Sequence, residues 1–369
     1  AGMAADLRYV EACAKDIAKY SKSNKIVIEK STLPVRTAEK IKEILEENSN
    51  GIHFEILSNP EFLAEGTAIQ DLFKSDRVLI GGDETESAQR AVQALVNIYS
   101  NWIPEEKILT TNVWSSELAK LASNAMLAQR ISSINSISAI CEKTGAKVDE
   151  VALVVGMDKR IGPNFLKSSI GFGGSCFKKD ILNLVYISKF YGLDQVAEYW
   201  ENVVRINNYQ TERFGEKIIE ALNSDLKTKT ISILGWAFKK DTNDSRESAS
   251  IILVKNLLVS GAKIKIYDPM VPERLIMNDL ENKFSEDGIN RQDIIKFLSE
   301  VIICEDPYTA IKNSNLVSLC TEWDEFKVID WEKAYSIMCS PQWVFDGRNL
   351  INKAHLEKLG FQTFIIGQP

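Results

Sequence analysis

The segment from Gly171 to Asp180 places a thiol directly behind a glycine-rich loop. Its glycines permit positive φ angles or a close approach of the backbone to a ligand, and Ser175 is a residue type that caps helices. A helix that begins here would favour the thiolate of Cys176 through its unpaired amides and its dipole, which makes Cys176 a candidate nucleophile. Asp180 would lie one turn further on the same face, where it could orient a water molecule. The alternative is a buried structural cysteine after an ordinary loop.

Lys120 and Asn124 form a second candidate pair, because residues four apart on a helix project from one face. A cation and an amide donor in this arrangement could stabilise an oxyanion that forms at a reacting carbonyl. The alternative is an ordinary solvated helix face.

Further candidates follow two predicted strands, at the edge where ligands gather in open α/β sheets. Glu61 could act as a general base if burial raises its pKa, and it is otherwise a loop carboxylate in water. The hydroxyls of Ser31 and Thr32 could bind a water molecule or a ligand. A turn or a helix cap, with Pro34 at the first helical position, explains them equally well.

A later predicted strand is followed by residues 235–241, which supply one glycine and two lysines, and Asp268 ends the next strand. This arrangement is similar to a dinucleotide site that lacks most of its glycines. A lysine side chain rather than a glycine-lined backbone would then meet phosphate, which suits a nucleoside diphosphate better than a complete dinucleotide. Arg246 and Arg348 are further candidate contacts for an anion.

The composition excludes several other classes of chemistry. At 369 residues, with 45% hydrophobic and 26% charged residues, the chain suits two or three globular domains. The chain has only two histidines, which argues against histidine-based metal sites and Ser-His-Asp hydrolysis. Its net charge of −7 argues against nucleic acid as the main partner. The six cysteines form no C-x-x-C pair, which suits a reducing compartment. The sequence also has no apolar run that could span a bilayer and no signal peptide at its start, so a cytoplasmic protein away from membranes is predicted.

The candidate residues in the first part of the chain must be positioned by α/β elements. The hydrophobic pattern predicts helices over 6–20, 35–47 and 85–100, and strands over 25–29, 53–57 and 77–81. A doubly wound dinucleotide domain begins with a strand that leads into G-x-G-x-x-G, and the chain contains no such motif. Either the opening half of this domain was removed or the domain is of another kind.

The rest of the chain is predicted to be helical and then again α/β. A long helix over 115–143, with Ser115 as its N-cap and Gly145 as its stop, opens a helical segment that runs to about residue 209. Strands over 229–234, 263–267, 316–320 and 343–345, with a helix over 248–260, form a second α/β domain. The fold class is therefore α/β, with a partial N-terminal Rossmann-like domain (1–113), a helical middle domain (114–209) and a C-terminal Rossmann-like domain (210–369).

Taken together, several segments resemble the UDP-glucose/GDP-mannose dehydrogenase family over essentially the whole chain. They are residues 29–34 (EKSTLP), 59–66 (NPEFLAEG), 117–124 (ELAKLASN), 130–136 (RISSINS), 171–180 (GFGGSCFKKD) and 238–242 (FKKDT). Within the family, the run 62–66 looks like the branch that acts on UDP-glucose.

The resemblance implies a four-electron oxidation of UDP-glucose to UDP-glucuronate that uses two NAD molecules in turn. Cys176 would capture the intermediate aldehyde as a thiohemiacetal, which a second oxidation converts into a thioester. Lys120 and Asn124 would stabilise the oxyanions. The remaining catalytic positions would be Asp180 and Thr32, which hold or activate a water molecule, and Glu61, the base in thioester hydrolysis.

The resemblance also implies binding residues and a subunit contact. The UDP-sugar would contact Glu65, Lys167, Gly173, Phe177, Lys239 and Arg348, and the cofactor NAD would contact Ser31, Glu65 and Arg246. Arg160 would reach the sugar nucleotide of a neighbouring subunit, so a homo-oligomer is expected. It would be at least a dimer formed through the middle domain, with a hexamer as the alternative.

One departure from the family pattern concerns its glycine-rich NAD loop, which this chain lacks. The chain is therefore expected to lack the N-terminal part of the NAD-binding domain, which puts its activity by itself in question. The alternative is a non-catalytic module that binds sugar nucleotides or forms dimers.

Overall fold

The computed structural model describes residues 7–49, 51–223 and 225–369. It divides into two compact units, the first made of residues up to 126 together with 179–201, and the second made of residues 127–178 and 202–369. Residue 6, where the first helix was predicted to begin, lies outside the described residues.

The first unit contains a four-stranded sheet and its flanking helices. Its elements are α1 (Arg8–Tyr20), β1 (Lys25–Glu29), α2 (Thr37–Glu47), β2 (Phe54–Ser58), α3 (Ala68–Phe73), β3 (Val78–Gly81), α4 (Glu86–Tyr99), a 3₁₀ turn (Glu105–Lys107) and β4 (Ile108–Thr111). The strand order is β1-β2-β3-β4. Strands β1 and β2 are parallel, as are β3 and β4, whereas β2 and β3 meet antiparallel. The predicted α/β alternation is confirmed, and β4 is an additional strand.

Four helices form the middle of the chain. They are α5 (Val113–Thr144), α6 (Val148–Met157), α7 (Phe177–Phe190) and α8 (Asp194–Ala221). Helix α5 ends before Gly145, which adopts a φ of 79° as its predicted stop. The predicted N-cap at Ser115 is wrong, because the helix begins two residues earlier and the Ser115 amide donates to the Asn112 side chain (2.8 Å). An asparagine in front of the helix caps it as well as a serine would.

The second unit contains a six-stranded, wholly parallel sheet. Its elements are β5 (Thr230–Leu234), α9 (Ala249–Val259), β6 (Lys263–Tyr267), α10 (Glu273–Glu286), α11 (Arg291–Leu298), β7 (Val301–Ile303), α12 (Pro307–Ile311), β8 (Leu316–Leu319), a 3₁₀ turn (Asp324–Val328), α13 (Trp331–Ile337), β9 (Trp343–Asp346), α14 (Lys353–Leu359) and β10 (Gln362–Ile365). The order β10-β9-β8-β5-β6-β7 is that of a doubly wound Rossmann sheet, with its switch point between β5 and β8. This confirms the predicted C-terminal Rossmann-like domain.

The backbone after β5 binds a carboxylate of the protein itself. Asp268, at the end of β6, accepts the amides of Trp236 (2.6 Å) and Ala237 (3.0 Å) through Oδ2. The Trp323 indole also donates to this oxygen (3.1 Å), and the amides of the Met270 and Val271 turn donate to Oδ1 (2.9 and 3.0 Å). The amides that hold phosphate in a dinucleotide-binding turn are therefore already engaged here.

No helix in the described part of the chain is long and apolar enough to cross a membrane.

Asp268→Ala should lower the free energy of unfolding by about 3–5 kcal/mol, because several part-buried donors lose their acceptor at about 1–3 kcal/mol each. Chemical denaturation of the whole chain measures the change. Glu300→Ala, which removes an exposed carboxylate, is the control and should change stability by less than about 0.5 kcal/mol. A loss of the same small size for Asp268→Ala would contradict the bracing role of this carboxylate.

Candidate active site

In the first unit, four of the predicted catalytic side chains lie together. Lys120 and Asn124 project from α5, Glu61 follows β2, and Asp180 lies in the first turn of α7. The Lys120 ammonium lies 3.6 Å from Glu61 Oε1, and Asn124 Nδ2 donates to Asp180 Oδ2 (2.6 Å). Lys120 is only 4% exposed and Asn124 only 8%. The alternative of a solvated helix face is therefore wrong.

Asp180 is the most deeply buried member of this group, with 1% exposure. Burial raises the pKa of its carboxyl, opposed by the hydrogen bond from Asn124 and by the charges of Lys179 and Lys120. Its Oδ1 is buried and accepts no hydrogen bond from the described residues. Asp180 can therefore accept a hydrogen bond from a bound water molecule, and it can hold a proton more readily than an exposed aspartate.

Glu61 lies at the more open side of the same group, with its side chain 31% exposed. Its Oε2 accepts the amide of Leu63 (2.6 Å), which fixes the turn after Pro60. The ring of Phe62 lies 5.3 Å from the Lys120 ammonium, close enough for a cation–π contact. The loop after β2 thus contacts Lys120 with both a carboxylate and an aromatic face.

A polar network that the sequence did not predict joins the ends of β1 and β2, with Asn59 and Tyr99 buried and Lys30 at the surface. Asn59 accepts hydrogen bonds from the hydroxyl of Tyr99 (2.7 Å) and the ammonium of Lys30 (3.2 Å), and its own amide donates to Leu79 O (2.7 Å). Lys30 also donates to the Tyr99 hydroxyl (3.1 Å). The only sequence signal was a polar residue directly after each strand. This network fixes the starting points of the loops that carry Thr32 and Glu61.

Ser31 and Thr32 lie in the loop between β1 and α2, with Ser31 exposed and Thr32 half-buried. Within residues 7–49, 51–223 and 225–369, neither hydroxyl forms a hydrogen bond, so the structure does not join Thr32 to Asp180. Helix α2 begins at Thr37, so Pro34 is not its first residue as the sequence suggested. Arg36 adopts a left-handed φ of 77° just before the helix.

In the second unit, the loop that carries Cys176 is held on two sides. Asn207 of α8 accepts the Phe172 amide (2.8 Å) and donates to its carbonyl (3.0 Å), and the Gly174 amide donates to Arg246 O (2.8 Å). Cys176 itself is exposed, so the alternative of a buried structural cysteine is wrong.

Helix α7 begins at Phe177, so Cys176 immediately precedes it rather than lying in its first turn. The predicted N-cap at Ser175 is therefore wrong, because Ser175 lies one residue further from the helix start. The Ser175 hydroxyl lies 3.6 Å from the sulfur. The thiol thus lies at the N-terminal end of the helix, where the backbone amides have no partners within the helix.

Gly173 is required where this loop contacts the segment after β5. A Cβ at this position would lie 2.6 Å from Glu247 O and 2.8 Å from Phe238 Cβ. Arg348 donates to Phe238 O (3.0 Å) and Cys320 O (2.6 Å) with a side chain that is 11% exposed. Arg348 therefore braces the segment that carries Lys239, in addition to any contact with a ligand.

The remaining predicted binding residues occupy different parts of the chain. Lys167 is exposed, and the Phe177 ring packs edge-on against Phe172 with centroids 5.7 Å apart. Arg160 is 89% exposed and pairs with Asp158 (2.6 Å).

The three predicted cofactor contacts are divided between the two units. Ser31 and Glu65 are exposed residues of the first unit. Arg246 belongs to the second, where it is exposed and pairs with Asp244 (2.7 Å).

The structure combines Rossmann-like sheets in two units with an exposed cysteine before a helix and a buried lysine beside a carboxylate, which are features of a dehydrogenase. Comparison with known families agrees. The NAD-binding domain of the UDP-glucose/GDP-mannose dehydrogenase family matches residues 1–103, its central domain matches 114–209, and its UDP-binding domain matches 232–353. The chain belongs to this family.

Similar proteins match over the full length of this chain. UDP-glucose 6-dehydrogenase 3 of Oryza sativa subsp. japonica is 54% identical, with 78% of its length covered, and UDP-glucose 6-dehydrogenase of Pongo abelii is 55% identical, with 74% covered. Among solved structures, a UDP-glucose dehydrogenase from the hyperthermophilic archaeon Pyrobaculum islandicum is similar with a TM-score of 0.82 and 30% identity, covering 100% of this chain and 77% of that one.

The expectation that the N-terminal part of the NAD-binding domain is missing is not supported, because that domain of the family matches residues 1–103. The expectation was based on the absence of one glycine motif, and a single motif is weaker evidence than a match along 103 residues.

Tyr99→Phe should lower the free energy of unfolding by about 1–2 kcal/mol, because Lys30 and Asn59 lose their shared hydroxyl in a buried position. Thermal or chemical denaturation measures this change. Tyr209→Phe, which removes a hydroxyl from a side chain that is 50% exposed, is the matched control and should have little effect. Equal stabilities of the two variants would show that the network holds without the hydroxyl.

Proposed function

We propose that this protein oxidises UDP-glucose to UDP-glucuronate with NAD as the oxidant, through intermediates bound to Cys176. The observation that carries the proposal is the buried Lys120 beside Glu61, with Asn124 bonded to Asp180, in a chain whose exposed cysteine stands four residues before that aspartate. The full-length similarity to UDP-glucose 6-dehydrogenases supports the same substrate.

The residues of the first unit suit NAD better than those of the second. After β5 of the second sheet, the amides of Trp236 and Ala237 bind Asp268 and are unavailable to a pyrophosphate. In the first unit, Ser31 and Glu65 are exposed on loops that follow parallel strands, where dinucleotides bind in such sheets. We assign these two residues to NAD, with Arg246 as a further contact. NAD, when bound, accepts one hydride in each of the two oxidations.

Cys176 links the two oxidations. Its sulfur adds to the aldehyde carbon left by the first oxidation and forms a thiohemiacetal, and the second oxidation converts this adduct into a thioester. Negative charge develops on the carbonyl oxygen when the sulfur adds to the aldehyde and again when water adds to the thioester. The buried ammonium of Lys120 and the second amide hydrogen of Asn124 stabilise that charge, because a donor fixed away from water needs no reorganisation.

Hydrolysis of the thioester then releases the acid. Asp180, with an oxygen that accepts no other hydrogen bond from the described residues, and Thr32 hold the attacking water. Glu61 removes a proton from it as the oxygen bonds to the thioester carbon. The carbon–sulfur bond breaks, and Cys176 leaves as a thiolate that is ready for the next cycle.

The second unit supplies the contacts to the sugar nucleotide in this proposal. Gly173 lets the Cys176 loop approach the segment that carries Lys239, and Arg348 braces that segment. Lys167 and Lys239 bind phosphate, while Phe177 packs beside the ligand. Glu65 is a further proposed contact to the sugar nucleotide.

The same proposal extends to assembly and location. Arg160, exposed in the second unit, reaches the sugar nucleotide of a neighbouring subunit, which requires a homodimer or a larger assembly such as a hexamer. The middle helices carry large exposed apolar side chains, among them Leu153, Val154 and Met157, which suit such a contact. Six free cysteines within the described residues suit the reducing cytoplasm.

Full oxidation should yield two NADH for each UDP-glucose. The variant Cys176→Ser should form no acid, because a hydroxyl is a poorer nucleophile and leaving group than a thiol. Absorbance of NADH and chromatography of the sugar nucleotide measure both. Cys339→Ser replaces another exposed cysteine and should leave the yield unchanged. If UDP-glucose protects Cys176 from iodoacetamide but no NADH forms, the chain is a non-catalytic binding module instead.

Lys120→Ala should lower kcat by about 10²–10³ with little change in KM, because an oxyanion donor acts where charge develops in the transition state. Steady-state kinetics with UDP-glucose measures the two constants. Lys143→Ala, at an exposed position of the same helix, is the control and should leave both unchanged. An unchanged kcat with a raised KM would make Lys120 a substrate-binding residue.

A further inference from the structure

The loop 168–176 passes through the interior of the second unit before it reaches the surface at Cys176. Residues 168–174 are all buried, whereas Cys176 is exposed. The loop belongs to no helix or strand, so its buried backbone groups have no regular ladder to pair with. Such a segment keeps a single conformation only where other parts of the fold supply its hydrogen bonds.

Three side chains of α8 donate hydrogen bonds to backbone carbonyls of this loop. The donors and acceptors are Gln210 to Ser169 O (2.9 Å), Thr211 to Ile170 O (2.7 Å) and Asn207 to Phe172 O (3.0 Å). Positions three and four apart lie on one face of a helix, so these donors share a face of α8. The bond from Asn207 is the last of the three along the chain before Cys176.

Helix α8 is itself held against α5 by a buried ion pair. Arg213 donates to Glu142 with both Nη1 (2.7 Å) and Nη2 (2.9 Å), and the two side chains are 8% and 4% exposed. Arg213 Nε also donates to the Gln210 side chain (2.8 Å). Two parallel hydrogen bonds fix the relative orientation of an arginine and a carboxylate. The side chains that contact the loop therefore project from a helix that is firmly placed.

Asn207 binds both backbone groups of one loop residue. Its Oδ1 accepts the Phe172 amide (2.8 Å) and its Nδ2 donates to the Phe172 carbonyl (3.0 Å), as an opposing residue does in an antiparallel sheet. The preceding Gly171 has a φ of 133°, and a Cβ at this position would lie 3.1 Å from Asn207 Oδ1. A glycine permits both this φ and this close approach. Asn207 and Gly171 together determine where Phe172 lies.

The ring of Phe172 carries this placement to the residue that follows the thiol. It packs edge-on against the ring of Phe177, with centroids 5.7 Å apart and planes at 86°. Phe177 is the first residue of α7 and is linked directly to Cys176. The chain on both sides of Cys176 therefore depends on the position of Phe172, which Asn207 fixes.

We propose that Asn207 is a positioning residue for Cys176 and holds the thiol where it captures the aldehyde left by the first oxidation. In this step the sulfur bonds to the aldehyde carbon, and the carbonyl oxygen takes up the proton that the thiol has lost. The first oxidation forms and breaks no bond to sulfur, so it does not need the thiol to be placed. The proposal rests on the proposed function, in which Cys176 captures the aldehyde.

Asn207→Ala should shift the products from the acid toward the free aldehyde, because the variant loses both hydrogen bonds to Phe172. A reacting group misplaced by about 1 Å can cost about 10²-fold in rate, so acid formation should fall by about tenfold to a hundredfold. The KM for UDP-glucose should change little. Semicarbazide in the assay traps free aldehyde, and chromatography of the sugar nucleotides should show the semicarbazone as a major product of the variant alone.

Asn208→Ala is the matched control. Asn208 is the next residue of α8 and is also half-buried, but its side chain forms no hydrogen bond with residues 168–176. Its products should follow those of the wild type. If Asn207→Ala loses NADH and acid in equal proportion and yields no trapped aldehyde, Asn207 does not act on the capture step and the proposal is wrong.

Hydrogen exchange of residues 171–177 gives a second readout that needs neither NAD nor UDP-glucose. In Asn207→Ala, exchange there should accelerate by about tenfold, because the loss of two hydrogen bonds makes local opening easier. Exchange in β5 and β8 should stay as in the wild type. Unchanged exchange in 171–177, or an equal acceleration in β5 and β8, overturns the proposal.

The two measurements separate this proposal from the proposed function. A wild-type chain that forms no NADH from UDP-glucose would refute the proposed function and, with it, the role of Asn207 in aldehyde capture. Faster exchange in Asn207→Ala would then still show that Asn207 holds the loop. Two NADH per UDP-glucose in the wild type, with an unchanged yield of acid in Asn207→Ala, would refute only the role of Asn207.

Discussion

Carboxylates that accept backbone amides hold the loops that follow strands in both sheets of this protein. Glu117 binds the amides at the start of α2, Asp268 binds those after β5, and Asp346 binds the amides of Leu350 and Ile351 at the end of β9. The turns after parallel strands leave amides without partners, and an unpaired buried amide costs about 1–3 kcal/mol. One well-placed carboxylate satisfies several of them at once. The loops that carry the candidate catalytic and binding residues therefore start from fixed positions.

One face of helix α5 carries both a carboxylate that holds a loop and two candidate catalytic residues. Glu117, Lys120 and Asn124 are three and four residues apart, so their side chains project in nearly the same direction. The first holds the loop after β1, the second contacts the loop after β2, and the third bonds to Asp180 of α7. A single rigid helix thus sets the distances among segments that are far apart in sequence.

The two sheets differ in how they can meet a nucleotide. In the second sheet the carboxylate of Asp268 takes the place that a phosphate would occupy at the backbone amides, so these amides are not available to a ligand. Wholly buried Trp236 fills the space behind the turn. The sheet keeps the strand order of a dinucleotide-binding domain but not its phosphate site, which is consistent with a match to the UDP-binding domain of the family.

The sequence by itself determined the α/β class and most of the central strands, because buried parallel strands have short apolar runs in their sequence. It also determined the family, because the motif around Cys176 is specific. It did not determine β7 and β10, since such short and partly exposed edge strands lack a hydrophobic period. Only the tertiary structure decided that Lys120 is buried and that Glu117 accepts the amides of Arg36 and Ala38, which lie 81 and 79 positions earlier in the chain. The local sequence pattern indicates which face of a helix or strand is apolar. The partner of a buried polar group depends instead on how elements that are distant in sequence pack together. The pairings that set proton affinity and loop position are therefore properties of the fold.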